Sequence, residues 1–232
     1  MDADEIKRTV GFHAVERHVR SGMRIGMGTG TTAIWAIRRI GHLIDSGALT
    51  EIVGVATSFQ AQFECERLGI PVRSMNDPAI DGSLDLVIDG ADEVDPKRYL
   101  TKGGGGALLL EKVIAYASGT VVIIVGEQKL VPRLGVSFPI PVEIAVEARR
   151  SVQKRIAALG GASDLRPAER KMGPVITDNG NPILDVTFAD EFDPVAMERD
   201  LDSIPGVLAN GLFASIPSTI YVGRQDGSVT AF

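Results

Sequence analysis

"RIGMGTGTTAIWAIRRIGHLID" (24–45) is the stretch that decides the fold class of this chain. Its first five residues form a short β-type run that ends in a glycine turn. Ile34, Ile37, Gly41 and Ile44 then recur at the spacing of one helix face. A strand that passes through glycines into a helix is typical of the first half of a βαβ unit.

Short β-rich runs alternate with helical patterns through the rest of the first half. The runs are "EIVGVAT" (51–57), "IPVRSM" (70–75), "LDLVID" (84–89) and "TVVIIVG" (120–126), and helical patterns lie at 60–68 and 107–117. Strands connected in this way form a mostly parallel sheet that helices cover on both faces. We therefore predict an α/β, Rossmann-like domain.

The pattern changes near Pro132. "FPIPVEI" (138–144) predicts a strand with an edge-type proline, followed by a helix at 149–159. Two strands flank "TDNGNP" (177–182), whose Asn-Gly pair favours a hairpin, and a helix follows at 194–203. This order predicts a small α+β unit of the split β-α-β kind.

The predicted domain bounds follow from these patterns. Residues 1–131 and 206–232 are assigned to the Rossmann-like domain, since the strand-rich tail is expected to return to the main sheet. Residues 132–205 are assigned to the small α+β domain.

Composition excludes several classes of protein. The 232 residues are 44% hydrophobic and 23% charged, which is ordinary for a globular protein, and the formal net charge is −6. An acidic surface does not attract nucleic acid or an anionic membrane. The single cysteine, Cys65, cannot form an internal disulfide, and no stretch offers about twenty uninterrupted apolar residues. We expect a soluble, cytoplasmic protein.

"GMGTGTTA" (26–33) is the first candidate site, a glycine–threonine turn between a strand and a helix. Backbone N–H groups and the hydroxyls of Thr29, Thr31 and Thr32 would meet an anion at the helix N-terminus. The glycine spacing fits neither a dinucleotide fingerprint nor a nucleoside-triphosphate loop, so a small phosphate ester suits it better. A simple threonine-capped turn remains an alternative.

"DGADEVD" (89–95) is the second candidate, and it directly follows a buried strand. Ligands of an open parallel sheet bind at the carboxyl ends of its strands. Four acids in seven residues, beginning with Asp89 and Asp92, could shuttle protons. A divalent-metal site and a solvated polar turn are the alternatives.

"TKGGGGALLLEK" (101–112) is the third candidate. Four consecutive glycines let a substrate approach the backbone closely, and Lys102 places a cation beside them. Glu111 lies in an otherwise apolar helical pattern, where partial burial would favour a general base. An exposed carboxylate near a helix N-terminus is the alternative for Glu111.

These motifs, with "VITDNGNPILDV" (175–186), together resemble the ribose-5-phosphate isomerase A family. The resemblance extends over essentially the whole chain. It implies a Rossmann-like domain with a smaller ferredoxin-like domain, assembled as a homodimer or homotetramer. The implied activity is interconversion of D-ribose 5-phosphate and D-ribulose 5-phosphate in the pentose phosphate pathway, without a metal or cofactor.

The resemblance also implies residue roles. Glu111 is expected to be the base that moves a proton between C1 and C2, and Asp89 with Lys102 to open the sugar ring and handle protons at O1 and O2. Asp92 and the loop amides are expected to position hydroxyls. The residues expected to bind the substrate are Lys7, Thr29, Gly30, Thr31, Thr32, Asp89, Gly90, Asp92, Lys102, Gly103, Gly104, Gly105 and Lys129.

One stretch departs from the family pattern, and two alternative functions remain open. The stretch before Lys129 is "GEQK", where the family often has a pattern like "DESK". A sugar-phosphate sensor that binds without turnover is one alternative function. A related amino-sugar-phosphate deaminase or coenzyme A transferase is another.

Overall fold

The computed structural model describes all 232 residues and divides into two compact units. The first unit comprises Met1–Ala91, Val113–Lys129 and Ile216–Phe232, and the second comprises Asp92–Lys112 and Leu130–Ser215.

The elements are named in chain order. They are α1 (Ala3–His18), β1 (Arg24–Met27), α2 (Ala33–Asp45), β2 (Val53–Ala56), α3 (Phe59–Arg67), β3 (Leu84–Asp89), β4 (Glu93–Val94), β5 (Leu100–Thr101), α4 (Leu108–Tyr116), β6 (Ser118–Gly126), β7 (Ile140–Ile144), α5 (Arg149–Ala158), β8 (Gly161–Leu165), β9 (Ile183–Phe188), α6 (Pro194–Asp202), β10 (Val207–Asn210), β11 (Leu212–Phe213), β12 (Thr219–Gly223) and β13 (Val229–Ala231).

A six-stranded sheet forms the first unit, in the order β13-β12-β6-β3-β1-β2. Every neighbouring pair is parallel except β12 with β13. Helix α2 buries Ala33, Ala36, Ile37, Ile40 and Gly41, which lie on one face of the helix. The predicted Rossmann-like sheet is confirmed, and so is the return of the tail to it, because β12 pairs with β6.

One predicted strand of the first unit does not form. Residues 70–75 make only an isolated parallel bridge between Val72 and Gly54 of β2. Pro71 has no N–H to donate, and a turn follows at once, in which Asp77 N donates to Ser74 O. The segment therefore lies beside β2 for a few residues without becoming a strand.

The second unit contains a four-stranded antiparallel sheet in the order β10-β7-β9-β8. The succession of strand, helix, two strands, helix and strand is the split pattern that the sequence predicts, and it is ferredoxin-like. Helices α5 and α6 bury Val152, Ile156 and Leu201 in its core. A small sheet, β11-β5-β4, belongs to the same unit.

The strand predicted at 138–144 forms as β7, but its proline does not mark an edge strand. β7 lies inside its sheet, between β10 and β9. Pairing with β10 reaches only Val142, so the missing N–H of Pro141 interrupts no bond of that ladder. The carbonyl of Pro141 accepts from Gly211 N at 2.7 Å. The turn at 177–182 does form, but its preceding arm is the single bridge Ile176–Pro182, and the long partner of β9 is β8.

The grouping of residues 92–112 and 206–215 differs from the predicted domain bounds. The structure places both segments in the second unit, whereas the sequence patterns assign them to the first. Pairing of β5 with β11 explains the difference, together with the bond from Lys102 N to Gly211 O at 2.8 Å.

Candidate active site

The glycine–threonine loop of the first unit lies against Asp89. β1 and β3 are parallel neighbours, so the loop after β1 begins beside the end of β3. A Cβ on Gly28 would lie 2.3 Å from Asp89 Oδ1, so glycine is required there. The same oxygen accepts from Thr29 N at 3.0 Å and from Gly90 N at 2.8 Å. The structure thus brings three predicted residues, Thr29, Asp89 and Gly90, together.

The hydroxyl of Thr29 is fixed by two neighbours from the end of β2. It lies 2.6 Å from Thr57 Oγ1 and donates to Ser58 Oγ at 2.6 Å. Thr57 in turn donates to Met27 O at 3.0 Å. Ser58 caps α3 by accepting from Ala61 N at 3.2 Å.

Lys7 and Thr31 line one cleft of about 520 Å³ in the first unit. The ammonium of Lys7 donates to Asp4 Oδ1 at 3.0 Å, and Thr31 is exposed. Thr32 precedes α2 and makes no side-chain capping bond, so its hydroxyl is not used to cap that helix. The amide of Gly30, at φ +104°, donates to Gln60 Oε1 at 2.8 Å. The cleft therefore combines a cation, a hydroxyl and a helix N-terminus, which suits an anion.

Two arginines of the same cleft are bound to Glu64. Arg38 Nε donates to Glu64 Oε1 at 2.7 Å, and Arg67 Nε donates to Glu64 Oε2 at 3.1 Å. The hydrogen bonds from Arg67, followed by those from Arg38, lower the pKa of Glu64 to about 2. Glu64 thus balances part of the positive charge of the cleft.

Lys129 ends a short 3₁₀ turn (Glu127–Lys129) directly after β6. Its side chain is partly exposed. The side chain of Gln128 lies over Gly126, where a Cβ would be 2.3 Å from Gln128 Oε1. The two residues that depart from the family pattern therefore fit each other.

Lys102 and Glu111 form a buried ion pair in the second unit. Lys102 Nζ lies 3.3 Å from Glu111 Oε1, and the side chains are only 2% and 6% exposed. Lys102 follows β5, and Glu111 lies in the first turns of α4. The ring of Phe213 lies 5.5 Å from Lys102 Nζ. Desolvating two charges is costly, so such a pair marks a candidate functional site.

The tetraglycine between them has positive φ at Gly103 and Gly106 and a close approach to another residue at Gly104. Gly103 has φ +98°, and a Cβ there would lie 2.8 Å from Leu108 Cβ. Gly104 N donates to Asp92 Oδ2 at 2.7 Å, and a Cβ on Gly104 would lie 2.5 Å from Asp92 Oδ1. Gly105 is exposed. Asp92 and the loop thus approach each other as closely as the backbone permits.

The four acids of 89–95 each accept hydrogen bonds from backbone amides. Asp89 accepts from the glycine–threonine loop, and Asp92 accepts from the tetraglycine. Glu93, fully buried, accepts from Gly135 N at 2.7 Å and from two following amides. Asp95 Oδ1 accepts from the amides of residues 97 and 99. No three His, Cys, Asp or Glu side chains of the chain are grouped so that they could hold a metal ion.

Sequence reasoning missed three residues of these sites. Thr57 and Phe213 contact predicted residues, and Arg166 donates to the glycine loop. Thr57 is the last residue of a predicted strand, which is a usable signal. Phe213 and Arg166 lie far along the chain from their partners and carry no local signal.

No helix has the length and apolar character needed to cross a membrane.

Comparisons with known proteins agree on one family. The family model described as ribose 5-phosphate isomerase A (phosphoriboisomerase A) matches residues 53–227. The ribose-5-phosphate isomerase A of Treponema denticola is 47% identical over 99% of this chain and 99% of its own length.

Solved structures of the family superpose over the full chain. The ribose 5-phosphate isomerase A of Methanocaldococcus jannaschii has a TM-score of 0.92 at 39% identity, covering 100% of this chain and 99% of its own. A D-ribose-5-phosphate isomerase in complex with phospho-erythronic acid has a TM-score of 0.94 at 38% identity, with the same coverage. The chain therefore belongs to the ribose 5-phosphate isomerase A family.

Proposed function

We propose that the chain interconverts D-ribose 5-phosphate and D-ribulose 5-phosphate, with Glu111 as the base that moves the proton between C1 and C2. Family membership makes the chain an aldose–ketose isomerase of the pentose phosphate pathway. The observation that supports the residue assignment is the buried Lys102–Glu111 pair beside a loop of four glycines.

The proposed reaction needs one base for both carbons. The Glu111 carboxylate takes the proton from C2 of the open-chain aldose, which leaves a cis-enediolate, and returns a proton to C1. The hydroxyl proton at O2 is lost, and O1 gains one. Glu111 suits this role because burial keeps its carboxylate away from bulk water.

Lys102 is proposed to stabilise the enediolate. Its ammonium is preorganised next to Glu111 and is nearly inaccessible to water. A fixed charge in such a place lowers the energy of a developing oxyanion without reorganising solvent. Glu111 neutralises this charge in the resting site and becomes neutral when it takes the substrate proton. The full effect of the ammonium then falls on the enediolate.

Asp89 is proposed to open the furanose ring and to exchange protons with the O1 and O2 oxygens, together with Lys102. The amides of Thr29 and Gly90 already fix its carboxylate. Asp92 and the amides of the glycine loop are proposed to position hydroxyl groups.

The phosphate is proposed to bind at the glycine–threonine loop, through Lys7, the hydroxyls of Thr31 and Thr32, and Lys129. The cleft shared by Lys7 and Thr31 supports this assignment. One solved relative holds phospho-erythronic acid, a phosphorylated ligand. Binding energy from the phosphate would hold the reacting carbons in place.

An isomerase assay in heavy water tests the proposal. The protein is mixed with ribose 5-phosphate, and ketose formation is followed together with deuterium at C1 of the ketose. We expect both signals, because a protonated Glu111 exchanges with solvent before it returns its proton. Binding of ribose 5-phosphate without ketose would instead identify a sensor. Ammonia released from an amino-sugar phosphate would identify a deaminase.

We further propose a homodimer or homotetramer in the cytoplasm, as the family resemblance implies. A single cysteine, Cys65, buried and without a disulfide, supports a reducing compartment. Light scattering of the purified protein measures the assembly.

A further inference from the structure

Arg166 connects the glycine loop to the four-stranded sheet of the second unit. Its N–H donates to Ile183 O of β9 at 3.0 Å. Its guanidinium Nε donates to Asp185 Oδ2 at 2.9 Å, and Nη1 donates to the carbonyls of Gly103 and Gly104 at 2.9 and 3.1 Å. One planar group therefore binds a carboxylate of β9 and two consecutive loop carbonyls.

Fixing these carbonyls also fixes the amides of the loop. Each peptide group is planar, so the carbonyl of Gly103 sets the direction of the N–H of Gly104, and the carbonyl of Gly104 sets that of Gly105. Gly104 N donates to Asp92 Oδ2 at 2.7 Å. The loop is thus held on one side by Arg166 and on the other by Asp92.

Glycines make this support necessary. Four residues without side chains have the largest backbone freedom of any segment, and no rotamer of their own restricts them. The side chain of Arg166 is 12% exposed, and that of Asp185 is 23% exposed. A charge-assisted ion pair between two such side chains keeps the planar guanidinium of Arg166 in one orientation.

We infer that Arg166 is a positioning residue for the isomerisation, which sets the orientation of the glycine-loop amides. The inference rests on the proposed function of that loop. Arg166 acts through the loop backbone. Lysine cannot replace it, because one ammonium does not reproduce the planar fork that binds Asp185 and both carbonyls.

The test compares Arg166→Lys and Arg166→Ala with wild type. We expect kcat to fall roughly tenfold to a hundredfold in both variants with little change in KM, since a small displacement of positioned groups costs about that much. Guanidinium ion, added far below denaturing concentrations, should partly restore kcat in Arg166→Ala. Arg170→Ala, an exposed arginine on the same connection, is the matched control and should behave as wild type.

A second measurement separates this inference from the proposed function. Hydrogen–deuterium exchange of the 102–107 backbone should be faster in Arg166→Lys than in wild type, whichever reaction the protein catalyses. A wild type without isomerase activity would refute the proposed function alone. Normal kcat per folded molecule in Arg166→Lys, or unchanged exchange in the loop, would overturn the positioning role.

Discussion

Glu111→Gln separates the chemistry of Glu111 from its part in stability. Glutamine has nearly the same size and shape, but it cannot take a proton from carbon. Loss of a general base typically costs about a hundredfold to ten-thousandfold in rate. Because one base serves both carbons, we expect the upper end, which corresponds to about 5.5 kcal/mol in the activation barrier.

The substitution also lowers the stability of the folded protein, because it removes one charge of a buried ion pair. Lys102 Nζ lies 3.3 Å from Glu111 Oε1 and is almost fully buried, so the variant leaves an ammonium opposite a neutral amide. Removing one partner of a buried pair costs roughly 3–5 kcal/mol, and less here, because the amide oxygen still accepts a hydrogen bond. We therefore expect a folded protein with a lowered Tm.

Glu198→Gln provides the matched control. Glu198 is also buried, and its Oε1 accepts from Lys112 Nζ at 2.7 Å in the same unit. Its loss should lower the Tm comparably and leave kcat unchanged. A joint loss of kcat in both variants would show that instability, and not missing chemistry, explains Glu111→Gln.

Isotope exchange tests whether Glu111 is the base that moves the proton between C1 and C2. In heavy water the wild type should place deuterium at C1 of the ketose, whereas Glu111→Gln should bind ribose 5-phosphate nearly normally and show neither isomerisation nor exchange. Persistent exchange in the variant would place the base elsewhere, with Asp89 as the first candidate.

Three further results are expected. Lys102→Ala should lower kcat far more than it raises KM, whereas Lys7→Ala and Thr31→Ala should mainly raise KM, and normal turnover in the Lys102 variant would refute its role. Exhaustive chelation should leave turnover unchanged, and a loss restored by magnesium or manganese would make the acidic stretch a metal site. Glu64 has its pKa lowered from 4.5 to about 2, first by hydrogen bonds from Arg67, so its stabilising effect is present above pH 4.5 and is lost as pH falls toward 2. Glu64→Gln should therefore lower the Tm at pH 7 but not near pH 2, and a Tm difference independent of pH would contradict this.

The main sheet could be predicted because its information is local. Most strands of the first unit are apolar runs of a few residues, and α2 follows β1 at a glycine turn, as in 24–45. The grouping of residues 92–112 could not be predicted. It depends on β5 pairing with β11, whose partner residues lie more than a hundred positions apart. The sequence around Leu100 and Leu212 contains no motif that indicates the pairing of β5 with β11.

In the candidate site, too, the local features could be predicted and the contacts between distant residues could not. Glycine at 28, 103 and 104 is a local signal, because a bare backbone indicates close approach whatever the partner is. The partners are not local: Asp89 lies against Gly28 only because β1 and β3 are neighbours. Arg166 reaches Gly103 only because β9 holds Asp185 at the right register. A positioning residue such as Arg166 therefore has no motif at its own position. The sequence indicates only the residues that it positions, the glycines of the loop.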